Sequence, residues 1–446
     1  QNQVNNVMGF PYIFRGALDV HATTINEEMK IACAEALAQL ARKPIPEEVA
    51  AAYSGKKMQY GPDYIIPVPF DPRLIHTIPV AVAKAAIKTK VARKKITNWK
   101  AYEQELAARL NPTANTLNFI FGNIRNEPKN IIFAEGENRN IVAAAKVWQE
   151  SSYGNVTILS RDDSQKTVLD HCKELNIDTK KVNIININKS EKTKKYALHL
   201  YKKLQRKGVS EKECLKMLTD DNNIYAACNV DLGDSDIMIT GANNSYQDSL
   251  EDIQKVIETE PDKKLFGYSA ILSNNKTVYI ADTALTELSS SEELAETAIN
   301  LANQVKKMGH TPRVALVSFS NFGSQLRKES KRIRAAKEIL DKKKVDFEYD
   351  GEMSPDVALN EDLLKLYPFC NLTEPANILI MPGLHSAIIS SKLIQEMGGS
   401  TVIGPILTGL TKSAQIVPAK SSTTDIINIT AIAAQQLQQK NKNVKK

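Results

Sequence analysis

Residues 409–428 of this chain, GLTKSAQIVPAKSSTTDIIN, read as a loop that runs into a helix. Lys420 lies in the loop, and Ser421 and Ser422 stand just before the apolar pair at 426 and 427. Free backbone N–H groups and the positive dipole end of such a helix suit a phosphate or a carboxylate. The stretch therefore predicts an anion site, with an ordinary helix cap as the alternative.

Three other stretches end predicted strands with small polar or charged residues. FAEGENRN (133–140) places Glu135 at such an end, VSFSNFGS (317–324) offers hydroxyl and amide groups, and YDGEMSPDVAL (349–359) carries Glu352. Groups of this kind can bond a phosphate or an amide. Each stretch alone is more typical of a loop that only shapes the chain than of a ligand site.

The elements that must position these loops are strands alternating with helical patterns from about residue 116 onward. Continuous apolar runs separated by helices indicate parallel sheets covered on both faces, an α/β architecture in which ligands gather at the carboxyl ends of strands. Residues 267–284 break the rhythm and predict a β-hairpin turning at Asn274 and Asn275. The predicted strands are 130–136, 156–160, 182–187, 237–241, 314–320, 346–352, 377–383 and 401–407.

The first 115 residues have a different pattern. Asn26 to Ala41 and Val80 to Ile87 predict Ala-rich helices, and the four prolines of residues 60–75 favour an extended surface segment between them. Residues 88–115 are basic and polar around one predicted helix, Trp99 to Leu110. This stretch is predicted to be the domain boundary.

Composition places the chain among ordinary globular proteins. Its 446 residues are 42% hydrophobic and 24% charged, enough for roughly two or three domains. The net charge of +7 lies largely in local lysine and arginine runs without interleaved aromatic residues, which argues against a nucleic-acid partner. We expect no membrane span, no signal peptide and a cytoplasmic location. The start at Gln1, within patterned sequence, suggests a fragment or a processed product.

Cysteine and histidine spacing predicts no metal site. The five cysteines are scattered and lack CxxC spacing, and the six histidines have no ligand spacing, so neither a zinc site nor a disulfide framework is expected. Walker A, GxGxxG, HExxH and GxSxG motifs are also absent from the sequence. The common nucleotide, protease and hydrolase signatures are thereby excluded.

The order of the motifs is more specific than any one of them. FAEGExxR, then SFSxxGS, then DGE with DxAL, then GPILxGL and a polar loop ending in DIIN resembles the phosphate acetyltransferase and butyryltransferase family over about residues 115–435. The resemblance implies a phosphotransacetylase-like α/β fold of two parallel-sheet subdomains with coenzyme A in the cleft between them. Subdomain I would comprise 116–262 plus 405–446, and subdomain II 263–404. It also implies a homo-oligomer, a dimer through this region.

The N-terminal stretch resembles the end of the malic enzyme catalytic region. NQVNNVMGFPYIFRGALDVHATTINEEM, residues 2–29, and YGPDYIIPVPFDPRL carry the likeness, which places Asn5 and Asn6 beside malate and nicotinamide. Residues 1–90 would be a mostly helical remnant of the NAD-binding domain, and 91–115 a linker helix. The whole chain thus resembles the C-terminal portion of hybrid-type NADP-dependent malic enzymes. NADP and Mg or Mn would be bound by residues upstream of Gln1, so this chain alone would not oxidise malate.

The chain departs from the transferase pattern at several polar positions. Aligned without gaps, Pro418 and Ala419 replace the family's serine and arginine, and Asn244 and Glu251 replace its histidine and second arginine. Ile388 replaces an asparagine. Because a guanidinium holds an acyl phosphate as a bidentate fork, these changes predict a degenerate transferase with no catalytic residues of its own.

Three hypotheses follow for the region that resembles a transferase. The leading one is an allosteric module that binds acetyl-CoA as an effector; the others are an active phosphate acyltransferase and a purely structural oligomerisation module. The residues predicted to contact coenzyme A are Ser318, Ser320, Asn321, Ser324, Lys420, Ser421, Ser422 and Asp425.

Overall fold

The chain divides into two compact units, residues 1–116 and 117–446. The structure is a computed structural model. It describes residues 8–43, 60–62, 64–69, 71–99, 102–103, 106, 112–179, 181–261, 263–273, 276–325 and 327–444. Asn5, Asn6, most of the predicted helix 99–110 and the predicted turn at 274–275 lie outside these residues.

The first unit is helical around one apolar core. Asn26 Oδ1 accepts from Met29 N and so caps the second helix, whose bounds nearly match the predicted 26–41. The third helix begins earlier than predicted because Pro79 lies inside it and not ahead of it. The helices are α1 (Phe10–Asp19), α2 (Glu27–Ala41), α3 (Leu74–Lys88) and α4 (Pro112–Asn126), the last of which contains the boundary at residue 116. Buried side chains include Met8, Met29, Leu40, Leu74, Ile78 and Val82.

The second unit alternates strands and helices as the apolar pattern predicts. Its strands are β1 (Ile131–Phe133), β2 (Val156–Ser160), β3 (Asn183–Asn186), β4 (Ile237–Thr240), β5 (Phe266–Ser273), β6 (Lys276–Ala281), β7 (Arg313–Val317), β8 (Glu348–Met353), β9 (Ile378–Ile380), β10 (Ser400–Thr408) and β11 (Ser413–Ile416). Its helices are α5 (Arg139–Glu150), α6 (Gln165–Glu174), α7 (Thr193–Leu204), α8 (Glu211–Asp220), α9 (Asn222–Asp231), α10 (Tyr246–Val256), α11 (Ser291–Lys307), α12 (Lys328–Lys343), α13 (Pro355–Leu359), α14 (Glu361–Leu364), α15 (Leu384–Met397) and α16 (Thr423–Val444), with a short 3₁₀ helix at Gln205–Lys207.

These strands form two sheets. The first is parallel throughout, in the order β11-β4-β1-β2-β3. The second has the order β10-β5-β6-β9-β7-β8, in which β5 pairs antiparallel with β10 and β6 while the remaining pairs are parallel. Buried apolar side chains such as Phe133, Trp148, Leu301 and Ile378 form the core. The predicted α/β class with parallel sheets is confirmed.

Two connecting segments, here called the chain crossings, run antiparallel to each other between the sheets. Residues 258–265 lead from the first sheet to β5, and 408–411 return from β10 to β11, with a bridge between Thr259 and Leu410. Glu260 N donates to Gly409 O at 2.7 Å. Because β10 runs to Thr408, the second sheet continues past residue 404, where the predicted subdomain II ends. The predicted domain bounds remain a prediction.

Within the described ranges, no helix is both long enough and apolar enough to cross a membrane. All five cysteines fall in those ranges and are free, and four of them are buried.

Candidate functional site

The carboxyl ends of β1 and β4 meet at the buried carboxylate of Glu135. Its two oxygens accept from the backbone N–H groups of Ala242, Asn243 and Asn244 at 2.6, 3.1 and 3.2 Å. Burial raises the pKa of Glu135, and the three hydrogen bonds only partly oppose this. Glu135 thus fixes the loop between β4 and α10 and holds the main-chain N–H groups that an anion would otherwise meet there.

The two departures from the transferase pattern near this loop lie on its exposed side. The Asn244 side chain is exposed just ahead of α10, and Ser245 Oγ caps that helix by accepting from Asp248 N at 3.1 Å. Glu251 is exposed one turn further along α10 and accepts from Gln247 Nε2 at 2.9 Å. Glu251 therefore places an exposed carboxylate on the helix at the position where the sequence resemblance predicts a guanidinium.

The loop ahead of α16 forms one wall of a polar pocket of about 100 Å³. Lys420 sits at φ +67°, the left-handed region, at the turn of this loop. The facing wall comes from β10 and from Lys392 and Gln395 of α15, two residues that the motifs do not single out. The lining residues are Pro418, Ala419, Lys420, Ser421, Asp425 and Ile429 from the loop and α16, with Val402, Ile403, Gly404, Lys392 and Gln395 opposite.

The hydroxyl and carboxylate groups of Ser421, Ser422 and Asp425 form hydrogen bonds within this loop. Ser422 Oγ donates to Asp425 Oδ2 at 2.7 Å and accepts from Asp425 N at 3.2 Å, a reciprocal helix cap. Ser421 Oγ donates to Pro418 O at 2.6 Å. The lysines Lys392 and Lys420 are therefore the groups best placed to attract an anion into this pocket.

The loop after β7 is shaped by Glu352, which lies fully buried at the end of β8. Its carboxylate accepts from Ser320 Oγ at 3.1 Å, Gly323 N at 2.7 Å and the Arg334 guanidinium at 3.1 and 3.2 Å. Burial acts to raise the pKa of Glu352, but the Arg334 guanidinium and the N–H donors hold that pKa below its ordinary value. Glu352 is therefore an ionised anchor for the loop.

The other polar groups of the β7 loop are also engaged locally. Asn321 Oδ1 accepts from Ser354 N and Ser354 Oγ at 2.7 and 3.0 Å, and Ser324 Oγ accepts from Asn321 N at 3.1 Å. Ser318 differs, because it lines a second and larger pocket of about 540 Å³ at the ends of β7 and β9. Arg332, His385, Ser386, Leu288 and Phe319 also line that pocket.

The eight predicted coenzyme A contacts are therefore distributed over two pockets and two local networks. Lys420, Ser421 and Asp425 line the first pocket and Ser318 lines the second, while Ser320, Asn321, Ser324 and Ser422 take part in intraloop hydrogen bonds. The pockets lie at opposite ends of α15, since the nine residue steps from Ser386 to Gln395 rise about 13.5 Å. Their assignment as effector contacts stays a prediction.

The described residues contain no group of three or more His, Cys, Asp or Glu side chains placed to bind a metal ion. Asn5 and Asn6, predicted to lie near malate and nicotinamide, are outside the part of the chain that the structure describes.

Known proteins match the chain in two ways. Residues 115–434 match the family model "Phosphate acetyl/butaryl transferase". The chain is 48% identical to the NADP-dependent malic enzyme of Rhizobium meliloti and 50% identical to a probable NADP-dependent malic enzyme of Rickettsia prowazekii, in both cases over 97% of its length. It spans only 57% and 58% of these two relatives. Its similarity to malic enzymes thus extends well beyond the transferase region.

Transferases align with a smaller part of the chain but over nearly their whole length. The phosphate acetyltransferase of Clostridium acetobutylicum is 31% identical over 70% of this chain and 96% of its own. The EutD phosphotransacetylase from Staphylococcus aureus superposes with a TM-score of 0.65 and 25% identity, covering 72% of this chain and 98% of that one. A phosphotransacetylase from Streptococcus pyogenes superposes with a TM-score of 0.65 and 28% identity, covering 72% of this chain and 99% of that one. Motif order, fold and sequence therefore agree that the chain belongs to the phosphate acetyl/butaryl transferase family.

Proposed function

We propose that this chain is the regulatory and assembly region of an NADP-dependent malic enzyme, and that its transferase-like part binds acetyl-CoA as an effector without transferring the acetyl group. The whole protein would decarboxylate malate oxidatively to pyruvate in the cytoplasm. The proposal rests on two features that occur together in this chain. Similarity to NADP-dependent malic enzymes covers 97% of it, yet its transferase loops lack the guanidinium groups of the family pattern.

The loop residues support binding better than turnover. Ala419 stands in the pocket where the pattern calls for arginine, and loss of one such donor in comparable sites costs about 2.7 to 4 kcal/mol of transition-state stabilisation. Lys392 and Lys420 still line that pocket and carry point charges suited to the phosphates of coenzyme A. A thioester can be held there while the developing charge of acyl transfer is left unsupported.

NADP and a divalent metal, Mg or Mn, belong to the malate chemistry of the whole protein. The described residues provide no set of carboxylates that fits the metal. What this chain would contribute is coupling between acetyl-CoA binding and malate turnover, typically about 1 to 3 kcal/mol between two sites.

The test is malate turnover by the full-length protein with and without acetyl-CoA. We expect acetyl-CoA to change the rate about fivefold or more, and free acetate at the same concentration to have no effect. Lys420→Met should weaken the acetyl-CoA response while leaving turnover in its absence unchanged. If acetyl-CoA leaves malate turnover unaltered, the effector role is wrong.

Assembly is the second part of the proposal. Exposed apolar side chains on α15, among them Ile389, Leu393 and Met397, favour a homo-oligomer in which this helix contacts a second copy of the chain.

A further inference from the structure

One hydrogen bond connects the loop after β1 to the pocket of about 100 Å³ that Lys420 lines, here called the Lys420 pocket. Asn140, the last residue of the FAEGENRN stretch, donates from Nδ2 to Ser421 O at 3.0 Å. The two residues lie 281 positions apart in the chain. Ser421 lines the Lys420 pocket and Asn140 does not, so Asn140 contacts the wall of the pocket without facing its interior.

The turn that Asn140 contacts holds a lysine in an unfavourable backbone conformation. Pro418 O accepts from Ser421 N at 3.1 Å and from Ser421 Oγ at 2.6 Å, which closes a four-residue turn over Ala419 and Lys420. Lys420 is the third residue of this turn and has φ +67°, a conformation that glycine or asparagine usually adopts there. Such a conformation persists in another residue only where the surrounding contacts hold it. Support from outside the turn is therefore expected.

Asn140 is itself held firmly enough to give that support. Asn138 Oδ1 accepts from Asn140 N at 3.0 Å and caps α5, while Asn138 Nδ2 donates to Asn243 Oδ1 at 2.9 Å in the loop after β4. Ile141 of α5 and Ile426 of α16 belong to the same buried core, which fixes the two helices against each other. The amide of Asn140 is therefore a donor in a fixed place beside the turn.

We propose that Asn140 is a positioning residue for the effector. By holding Ser421 O, it keeps the turn in the shape in which Lys420 presents its ammonium group to a phosphate of acetyl-CoA. This inference rests on the effector role proposed above. Asn140 acts through the turn and not by touching the ligand, and its N–H donor is the group that matters.

Calorimetric titration of acetyl-CoA into the full chain tests this role. Asn140→Leu removes the donor without adding a charge, and we expect it to weaken binding about three- to tenfold, the loss typical of one hydrogen bond. Asn188→Leu is the matched control, because Asn188 Nδ2 donates to Thr219 O at 2.9 Å in the same kind of bond. Asn188 follows β3, at the opposite edge of the first sheet from β11, so its variant should bind as the unchanged chain does.

A double variant distinguishes positioning from a general weakening of the fold. If Asn140 acts through Lys420, adding Asn140→Leu to Lys420→Met should weaken binding no further than Lys420→Met alone. Two effects that multiply in the double variant would overturn the positioning role. So would an Asn140→Leu variant that binds acetyl-CoA as tightly as the unchanged chain, an outcome that leaves the effector role intact.

Trypsin cleavage after Lys420 follows the opening of the turn without any ligand. We expect Asn140→Leu to be cut there about threefold faster or more, and Asn188→Leu at the rate of the unchanged chain, with similar unfolding temperatures for all three. If the unchanged chain does not bind acetyl-CoA, the effector role is wrong, and the cleavage rates then decide whether Asn140 holds the turn. Equal cleavage after Lys420 in the three chains would show that it does not.

Discussion

Glu352 illustrates how single residues determine the shape of the candidate site. It is fully buried and accepts from Ser320, Gly323 and Arg334, so the hydroxyl that the sequence offered to a ligand is already bonded to a carboxylate. Removing one charge of a buried ion pair lowers stability because the other charge stays buried without its partner. In this pair the remaining charge would be that of Arg334, which is partly exposed to solvent. The loop after β7 should therefore depend strongly on Glu352.

We expect Glu352→Gln to lower the free energy of unfolding by about 2 to 3 kcal/mol, below the ~3 to 5 kcal/mol of fully buried pairs because Arg334 is partly exposed. Urea denaturation at pH 7 measures the change. Glu361→Gln is the matched control, since Glu361 forms an exposed pair with Lys365 and should change the same quantity by less than about 0.5 kcal/mol. Equal effects of the two substitutions would contradict the anchor role.

Asp221 makes a pH-dependent contribution to stability with the opposite sign from a paired carboxylate. Burial, and then the negative charge of Asp252, raise the pKa of Asp221 to about 6. A folded-state pKa above the unfolded value means that the folded chain holds the proton more tightly. This contribution is therefore complete below pH ~3.8 and is lost as the pH rises through about 6.

Asp221→Asn should remove the loss of stability at high pH, because Asn does not ionise. The helix cap should remain, because the Oδ1 of Asn can accept from the N–H groups of Asn223 and Ile224 as the Asp oxygen does. We expect the variant to be about 1 to 2 kcal/mol more stable than the unchanged chain at pH 8, with a clearly smaller gain at pH 4.5, where only roughly a third of the loss has occurred. Chemical denaturation at both pH values gives the comparison. The exposed Asp163→Asn serves as the control, and a gain at pH 4.5 as large as at pH 8 would exclude the titration as its cause.

At the scale of elements, the sequence predicts the strands well and their polar ends less well. β2 has the predicted bounds, but β1 ends at Phe133, before the predicted 136, because the chain turns at Glu135 toward the N–H groups after β4. Apolar periodicity is local and marks the strands. The bond that ends β1 joins residues 107 positions apart, which no local pattern contains.

The candidate site shows the same limit. The motifs lie in the loops after β1 and β7 and ahead of α16, because small polar residues and glycine at strand ends are local signals, and their assignment to a ligand stays a prediction. They do not show that Ser320 is bonded to Glu352, 32 positions away. They also miss Lys392, a single polar residue on a helix whose spacing is typical of any solvated face.

The returning chain crossing needs glycine at one position. Gly409 has φ +105°, and a Cβ there would lie 2.6 Å from Lys264 O. Gly208 has a similar φ of +83° but open space around its Cβ position. Comparing the two separates the cost of the backbone conformation from the cost of crowding.

We expect Gly208→Ala to destabilise the chain by about 1 kcal/mol through its left-handed backbone alone. Gly409→Ala should cost at least about 2 kcal/mol, because the crossings must also move apart. Thermal or urea unfolding of both variants measures the difference. A Gly409→Ala variant as stable as Gly208→Ala would show that the returning crossing accommodates the added Cβ without a further loss in the free energy of unfolding.

At the scale of the whole molecule, the α15 face is the surface that we propose for the contact with a second copy of the chain. We define it as Leu288, Phe319, Ile388, Ile389, Leu393 and Met397, which are 64%, 54%, 39%, 55%, 56% and 83% exposed. Together they offer roughly 600 to 700 Å² of apolar surface, near the ~800 Å² per partner of a standard interface. Lys392 and Glu396 stand on the same side of the helix.

An antiparallel pairing of two α15 helices about a two-fold axis at Leu393 makes this face self-complementary. It sets Ile389 of one copy opposite Met397 of the other, and it brings Lys392 within one turn of the other copy's Glu396. The apolar residues would provide the buried contact, and the charges of Lys392 and Glu396 would favour the antiparallel orientation of the two helices.

Leu393→Asp should therefore shift the chain from dimer to monomer in sedimentation, because the contact would bury two facing carboxylates without partners. Leu366→Asp is the control: Leu366 is 69% exposed but lies outside the α15 face, so the dimer should persist. Charge exchange tests the pairing itself. Lys392→Glu alone should weaken the dimer, and adding Glu396→Lys should restore it, because the double change again sets opposite charges against each other across the antiparallel contact. A dimer insensitive to Leu393→Asp would place the interface on another surface.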